Sequence, residues 1–135
     1  MATLKISDLS VGDWVRYKGE PSRVLDCGML VVSATSISFE PRLAVKAKYD
    51  IFDSVNIEKI EPIPITAEIL EKNEIHRTYN DDEYAIFRGD GLWAIKYSDG
   101  DWELSTPPVC RVDIKYIHQL QHALRLAGVD KEINL

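Results

Sequence analysis

The chain has 135 residues, 45% of them hydrophobic and 28% charged, which is the make-up of folded globular material and excludes intrinsic disorder. No run approaches the ~18 consecutive apolar residues that a membrane span requires. The net charge of −6 is uneven, with 8 Lys/Arg against 9 Asp/Glu through Ile65 and 8 against 13 from Thr66 onward. An acidic second half repels phosphate backbones and argues against non-specific nucleic-acid binding there.

In chain order, Leu4 to Leu9 is a short lead-in. Gly12-Asp13 marks a turn, and Trp14 to Tyr17 are strand formers. Lys18-Gly19-Glu20-Pro21 signals a second turn. Ser22 to Asp26 reads as a strand broken by Cys27-Gly28, with a further apolar run over Met29 to Ser33. Thr35 to Phe39 alternates loosely, Leu43 to Val45 is a short strand, and Val55 to Ile60 alternates apolar and polar residues as a strand does. The prolines of Glu61-Pro62-Ile63-Pro64-Ile65 then end the first part. Short, closely spaced strands predict a β-rich domain over residues 1–65, either a small barrel or a curved sheet. Its opening, D-L-x-V-G-D-W-V, is similar to the first strands of SH3-like barrels.

Residues 66–135 read as a second, α+β domain. Thr66 is a good N-cap for a helix over Ala67–Asn73, with Asn73 closing it. His76 falls in a polar stretch and Asn80 to Glu83 in a solvated turn. Tyr84 to Arg88, Leu92 to Ser98 and Asp101 to Leu104 read as strands joined at Gly89-Asp90-Gly91 and Asp99-Gly100. Trp93, Ile95 and Tyr97 share one face, as do Trp102 and Leu104. After Pro107-Pro108, Val109 to Val112 reads as a last strand feeding a C-terminal helix. That helix is one-sided: Tyr116, Ile117, Leu120, Ala123, Leu124 and Ala127 form a stripe, opposite His118, Gln121, His122 and Arg125. Asp113 is the nearest good N-cap residue. Gly128 stands where a left-handed C-terminal residue is wanted, with Val129 folding back in a Schellman motif. The layering expected is an antiparallel meander with this helix packed over one face.

Chemistry is sparse. His118-Gln119-Leu120-Gln121-His122 has the two metal-binding histidines of the zinc-protease signature H-E-x-x-H. Gln119 replaces the glutamate that must take a proton from zinc-bound water, and a third ligand lacks recognisable spacing. The pair reads as two exposed helix histidines turned away from the stripe, with a weak metal site as the sharper alternative. Cys27 and Cys110 read as reduced thiols packed as small apolar side chains. Asp90, Asp99 and Asp101 lack the calcium-loop order and read as turn formers. Phosphate-cradling and nucleophile-elbow motifs are absent, and no cofactor is expected. Trp14, Tyr17 and Tyr49 are the candidate partner surface, and Lys18, Arg23, Arg42, Lys46 and Lys48 the candidate basic patch for nucleic acid.

Three segments, LKISDLSVGDWVRYKGEPSRV, IEPIPITAEILEKN and RVDIKYIHQLQHALRLAGVDKEI, together resemble a family of small uncharacterised proteins of Bacteroides-like gut bacteria, often from prophage or mobile regions. The resemblance implies a cytoplasmic accessory protein and brings no catalytic residue. The opening MATLKISDLSVGDW, charged where a signal peptide has an apolar core, gives the same expectation. The function expected is thus a non-enzymatic interaction module with a protein partner and no membrane. The alternatives are a metal-binding or decayed hydrolase using His118 and His122, and nucleic-acid binding through the first half.

Overall fold

A computed structural model describes residues 4–5, 8–31, 39–46, 51–52, 55, 57–89, 91–106 and 109–135. The chain divides into two units, Met1–Ile63 and Pro64–Leu135, and its class is α+β with two antiparallel sheets. Pro64 and Ile65 belong with the second unit because they bond to the segment before its last helix. Pro64 forms a bridge with Tyr116, and the Ile65 N–H donates to the Lys115 carbonyl at 3.0 Å.

The first unit holds β1 (Trp14–Tyr17), β2 (Glu20–Val31), β3 (Phe39–Lys46), β4 (Ile51–Phe52), a 3-10 turn at Ile57–Lys59, and β5 (Ile60–Pro62). Their order in the sheet is β4-β3-β2-β1-β5, with β4 and β5 as edges. The turn before β1 shows why Gly12-Asp13 stands there. Gly12 has φ of 92°, and the Asp13 carboxylate accepts the Ser10 N–H at 2.7 Å. Val24 bonds across to both residues of the turn, and Asp13 is fully buried. Leu9, Val15, Val24, Leu43, Val45, Val55 and Ile60 form the core.

Two expectations for this unit need correction. Cys27-Gly28 does not break the strand: β2 runs through it, and the irregularity is a register shift between Val24 and Asp26. A bulge absorbs an extra residue without ending the ladder. The expected strand Val55 to Ile60 is instead the 3-10 turn followed by β5, which begins where that reading ended. Pro62 fits β5 because an edge strand need not donate on its outer side.

The second unit opens with α1 (Ala67–Lys72), capped as expected by Thr66, whose side-chain oxygen accepts the Ile69 N–H at 3.2 Å. β6 (His76–Asn80), β7 (Tyr84–Gly89), β8 (Leu92–Tyr97), β9 (Trp102–Thr106) and β10 (Val109–Ile114) follow as a five-stranded meander in the order β10-β9-β8-β7-β6. β6 was not legible as a strand because all five of its residues are exposed, so it carries no apolar alternation. Helix α2 (Ile117–Leu126) closes the unit and packs against β10.

Strand geometry sends alternate side chains to opposite faces. On the inner face lie Phe87, Ala94 and Leu104, in register with one another, and Ile114 opposite Trp102. All are buried, as are Ile117, Leu120, Ala123 and Leu124 of the helix stripe. Phe87 and Trp102 meet with ring centroids 5.5 Å apart. Gly89 is needed for a close approach: a Cβ there would stand 2.3 Å from the Glu74 carbonyl oxygen. The chain leaving α1 therefore crosses directly over the inner face. Its terminal Asn73 is also buried. The Asn73 amide donates to the carbonyls of Ile69 and Asn134 and accepts the Asn134 N–H, tying the C-terminal tail down and seating Ile133 at 1% exposure.

The ends of α2 divide the expectations. The C-terminal motif forms as expected: Gly128 has φ of 73°, Val129 N–H donates to the Leu124 carbonyl and Gly128 N–H to that of Arg125. The N-cap is not Asp113, which lies in β10 opposite Glu103. The helix starts after Tyr116, and the Gln119 side-chain oxygen accepts the N–H groups of Lys115 at 2.7 Å and Tyr116 at 3.1 Å. Gln119 does the work of the reaching-back residue in a capping box.

Leu120 is fully buried, so Leu120→Ala is expected to cost about 2–5 kcal/mol. Gly89→Ala, which meets backbone rather than a yielding side chain, is expected to cost about 1–3 kcal/mol. Urea unfolding followed by tryptophan fluorescence measures both; unchanged midpoints would contradict the packing described.

Candidate interaction surface

The outer face of the β6–β10 sheet is built from the side chains that strand alternation turns away from the helices. Tyr84 is in register with Tyr97, Ile86 with Ile95 and Arg88 with Trp93, while Tyr79 on β6 lies beside Ile86. Tyr79 is 45% and Trp93 43% exposed, and the other apolar members are half-buried. β7 and β8 thus carry apolar residues at successive positions, as strands covered on both faces do. Here helix and tail account for one face, and the second is surplus apolar area.

Specific contacts hold this face in shape. The Tyr79 and Tyr84 rings stack at 5.3 Å, and the Arg88 guanidinium lies 3.6 Å from the centroid of the Trp93 ring. The Tyr97 hydroxyl donates to Glu103 at 3.1 Å, and Glu103 pairs in turn with Arg111 at 3.2 Å. The Tyr79 hydroxyl donates to Asp81 at 2.7 Å. That bond, then the negative charge of Asp81, pushes the Tyr79 phenol up to about 12. Asp81 sits below the usual carboxylate range, because it accepts the Tyr84 N–H, the Tyr79 hydroxyl and the Glu83 N–H. At the free edge of β6, Glu71 accepts the Arg77 N–H at 3.0 Å and meets the His76 ring at 2.7 Å. Both contacts lower the Glu71 carboxyl. They also occupy a backbone donor that would otherwise be open to another strand.

No family model, curated relative or solved structure matches the chain. The reading of the site therefore rests on these residues.

The residues singled out from the sequence are placed differently. Trp14 and Tyr17 stand three apart on β1, so they point to opposite faces: Tyr17 packs on the core with Val15, and Trp14 lies under Arg23 with 4.5 Å from guanidinium to ring. Tyr49 lies outside the described residues, as do Lys48 and Asp90. Of the basic set, Arg23 and Lys46 are cross-strand neighbours. Lys18 sits apart, in the β1–β2 turn over the Tyr17 ring. Arg42 belongs to β3, with its side chain outside the described set.

The histidine pair also needs correction. His118 is not turned to solvent; it is 3% exposed, and Gln121 is 8% exposed. The buried arc of α2 runs from the apolar stripe past Gln121 to His118, wider than hydrophobicity marks. The His118 ring lies parallel to that of Tyr116 at 5.9 Å and edge-on to that of His122 at 5.9 Å. Among the described residues, no three His, Cys, Asp or Glu side chains are grouped so that they could hold a metal ion. Asp99, Asp101 and Asp113 line a cleft of about 370 Å³ with Tyr97, Trp102 and Lys115. Asp99 acts there as a turn former, accepting the Asp101 N–H at 3.0 Å. No helix among the described residues is long and apolar enough to cross a membrane.

Asp81→Ala removes both the hydrogen bond and the charge that hold the Tyr79 proton. The Tyr79 phenol is expected to fall from about 12 toward the ordinary 10.0. NMR titration of the tyrosine ring carbons checks this; an unchanged value would contradict the Tyr79–Asp81 contact.

Proposed function

We propose that the protein is a non-enzymatic interaction module that docks a protein partner on the outer face of the β6–β10 sheet. One observation carries this reading: the face opposite the helices presents Tyr79, Tyr84, Ile86, Trp93, Ile95 and Tyr97 in adjacent registers, with Trp93 and Tyr79 more than two-fifths exposed. Exposed apolar patches rimmed by polar residues mark interaction sites, and aromatic residues are enriched in them. The rings are held by neighbours, so little side-chain entropy is lost on binding.

The first unit is read as an SH3-like module, a reading supported by β1 lying between β2 and β5 and by the D-L-x-V-G-D-W-V opening. Together with the resemblance of the three quoted segments, this supports reading the protein as an accessory protein of phage or mobile elements. Such modules work by holding partners together, and the fold names no partner.

Photo-crosslinking in the native host tests the docking face. A benzoylphenylalanine at position 93 is expected to give a discrete adduct with another protein. The same group at Leu126, which is 79% exposed on α2, is expected to give none. No adduct from position 93, or identical adducts from both positions, would contradict the reading.

A further inference from the structure

The two ends of the outer face differ in charge. In an antiparallel meander, the β6–β7 and β8–β9 turns fall at the same end of the sheet. Here they supply Asp81, Asp82, Glu83, Asp99 and Asp101, all exposed, and Asp113 on β10 lies at that end, beside Glu103. Against these six carboxylates stand Lys115, in the cleft beside Asp113, and Lys96, which sits over the inner-face Trp102 ring at 5.7 Å. Three tyrosines, Tyr79, Tyr84 and Tyr97, lie next to the carboxylates. Aromatic ring faces and carboxylates both attract cations.

The opposite end does not offer an anion site. Its Arg88 is stacked on Trp93, while Arg111 reaches to Glu103, beside Asp113, and is engaged there. A phosphate backbone or an acidic peptide would meet carboxylates at one end and the engaged Arg88 guanidinium at the other. A second copy of this chain would bring its own acidic turns, and everything from Thr66 onward carries a net −5.

We infer that the outer face takes a lysine- or arginine-rich protein segment, whose cationic side chains lie against the tyrosine rings and carboxylates at the β6–β7 and β8–β9 end. This rests on the reading that the face is a docking surface. Its apolar middle, Ile86, Ile95 and Trp93, receives the aliphatic stems and apolar neighbours of the same segment. Charge at the rim speeds encounter and selects the sign of the partner, and the central rings hold it.

Fluorescence anisotropy of the full chain with three labelled peptides tests this. Each peptide is about twelve residues of alternating Lys-Val, Ser-Val or Glu-Val. The Lys-Val peptide is expected to bind at about 50 mM salt and to weaken about tenfold by about 300 mM, as screening shortens the reach of the rim charges. The variant Asp82→Asn/Glu83→Gln/Asp101→Asn/Asp113→Asn is expected to weaken binding about tenfold as well. Glu58→Gln/Glu61→Gln, which removes charge from the other unit, is expected to leave it unchanged. Equal loss in the two variants would reduce the effect to net charge and overturn the inference. Tighter binding of the Glu-Val peptide or of a single-stranded oligonucleotide would overturn it too, as would a dimer by sedimentation that Trp93→Ala dissolves. Equal binding of the Lys-Val and Ser-Val peptides, lost in Trp93→Ala, would sink the charge inference and leave the docking face standing. Binding of no peptide at all would sink both.

Discussion

One helix covers one face of a sheet, and the second unit of this protein depends on that constraint. Its strands alternate sides at every residue, so each apolar run of β7 and β8 supplies two faces at once. Phe87, Ala94, Leu104 and Trp102 go under α2, the α1 exit and the tied-down tail. Tyr79, Tyr84, Trp93 and Ile95 go to the other side. Burying the inner set drives the fold, since each fully buried large apolar side chain contributes about 1.5–3 kcal/mol. The outer set is a consequence of the same geometry, and ring stacking, the guanidinium on Trp93 and the Glu103–Arg111 pair keep it ordered.

On α2, His118 belongs to the buried side of the helix and not to its solvent face. Gln119 stands where a metallopeptidase would place its base. Its oxygen is instead held by two backbone N–H groups at the helix start, which leaves it a structural task and explains its position three residues into the helix. His118 is enclosed beside Tyr116, so the helix buries an arc broader than its apolar stripe. Polar residues at such positions are retained by contacts that a hydrophobic pattern cannot register.

What was legible in the sequence was local. Thr66, Gly128 and the α2 stripe each act through bonds or spacing within a few residues, and each behaves as expected. The layering of an antiparallel meander with a C-terminal helix followed from the same signals. What escaped depends on distant partners. Asn73 looked like a helix end, yet it also clamps Asn134. Gly89 looked like a turn glycine, yet it clears a path for Glu74. β6 has no buried residue to give it a period, and β2 continues because β3 pairs with it from Arg23 to Val31. The candidate surface was sought at Trp14 and Tyr17, which β-strand parity places on opposite faces. The β6–β10 sheet, by contrast, carries apolar residues on both of its faces.

The two sides of the β6–β10 sheet differ: one is sealed and one is open. Trp102 and Trp93 report on it directly, since they sit on neighbouring strands and opposite faces, at 5% and 43% exposure. Hydroxyl-radical footprinting of the intact protein, read residue by residue by mass spectrometry, measures both in one sample. Rapid oxidation of Trp93 and strong protection of Trp102 are expected. Equal rates, or protection of Trp93 with Trp102 exposed, would contradict this difference.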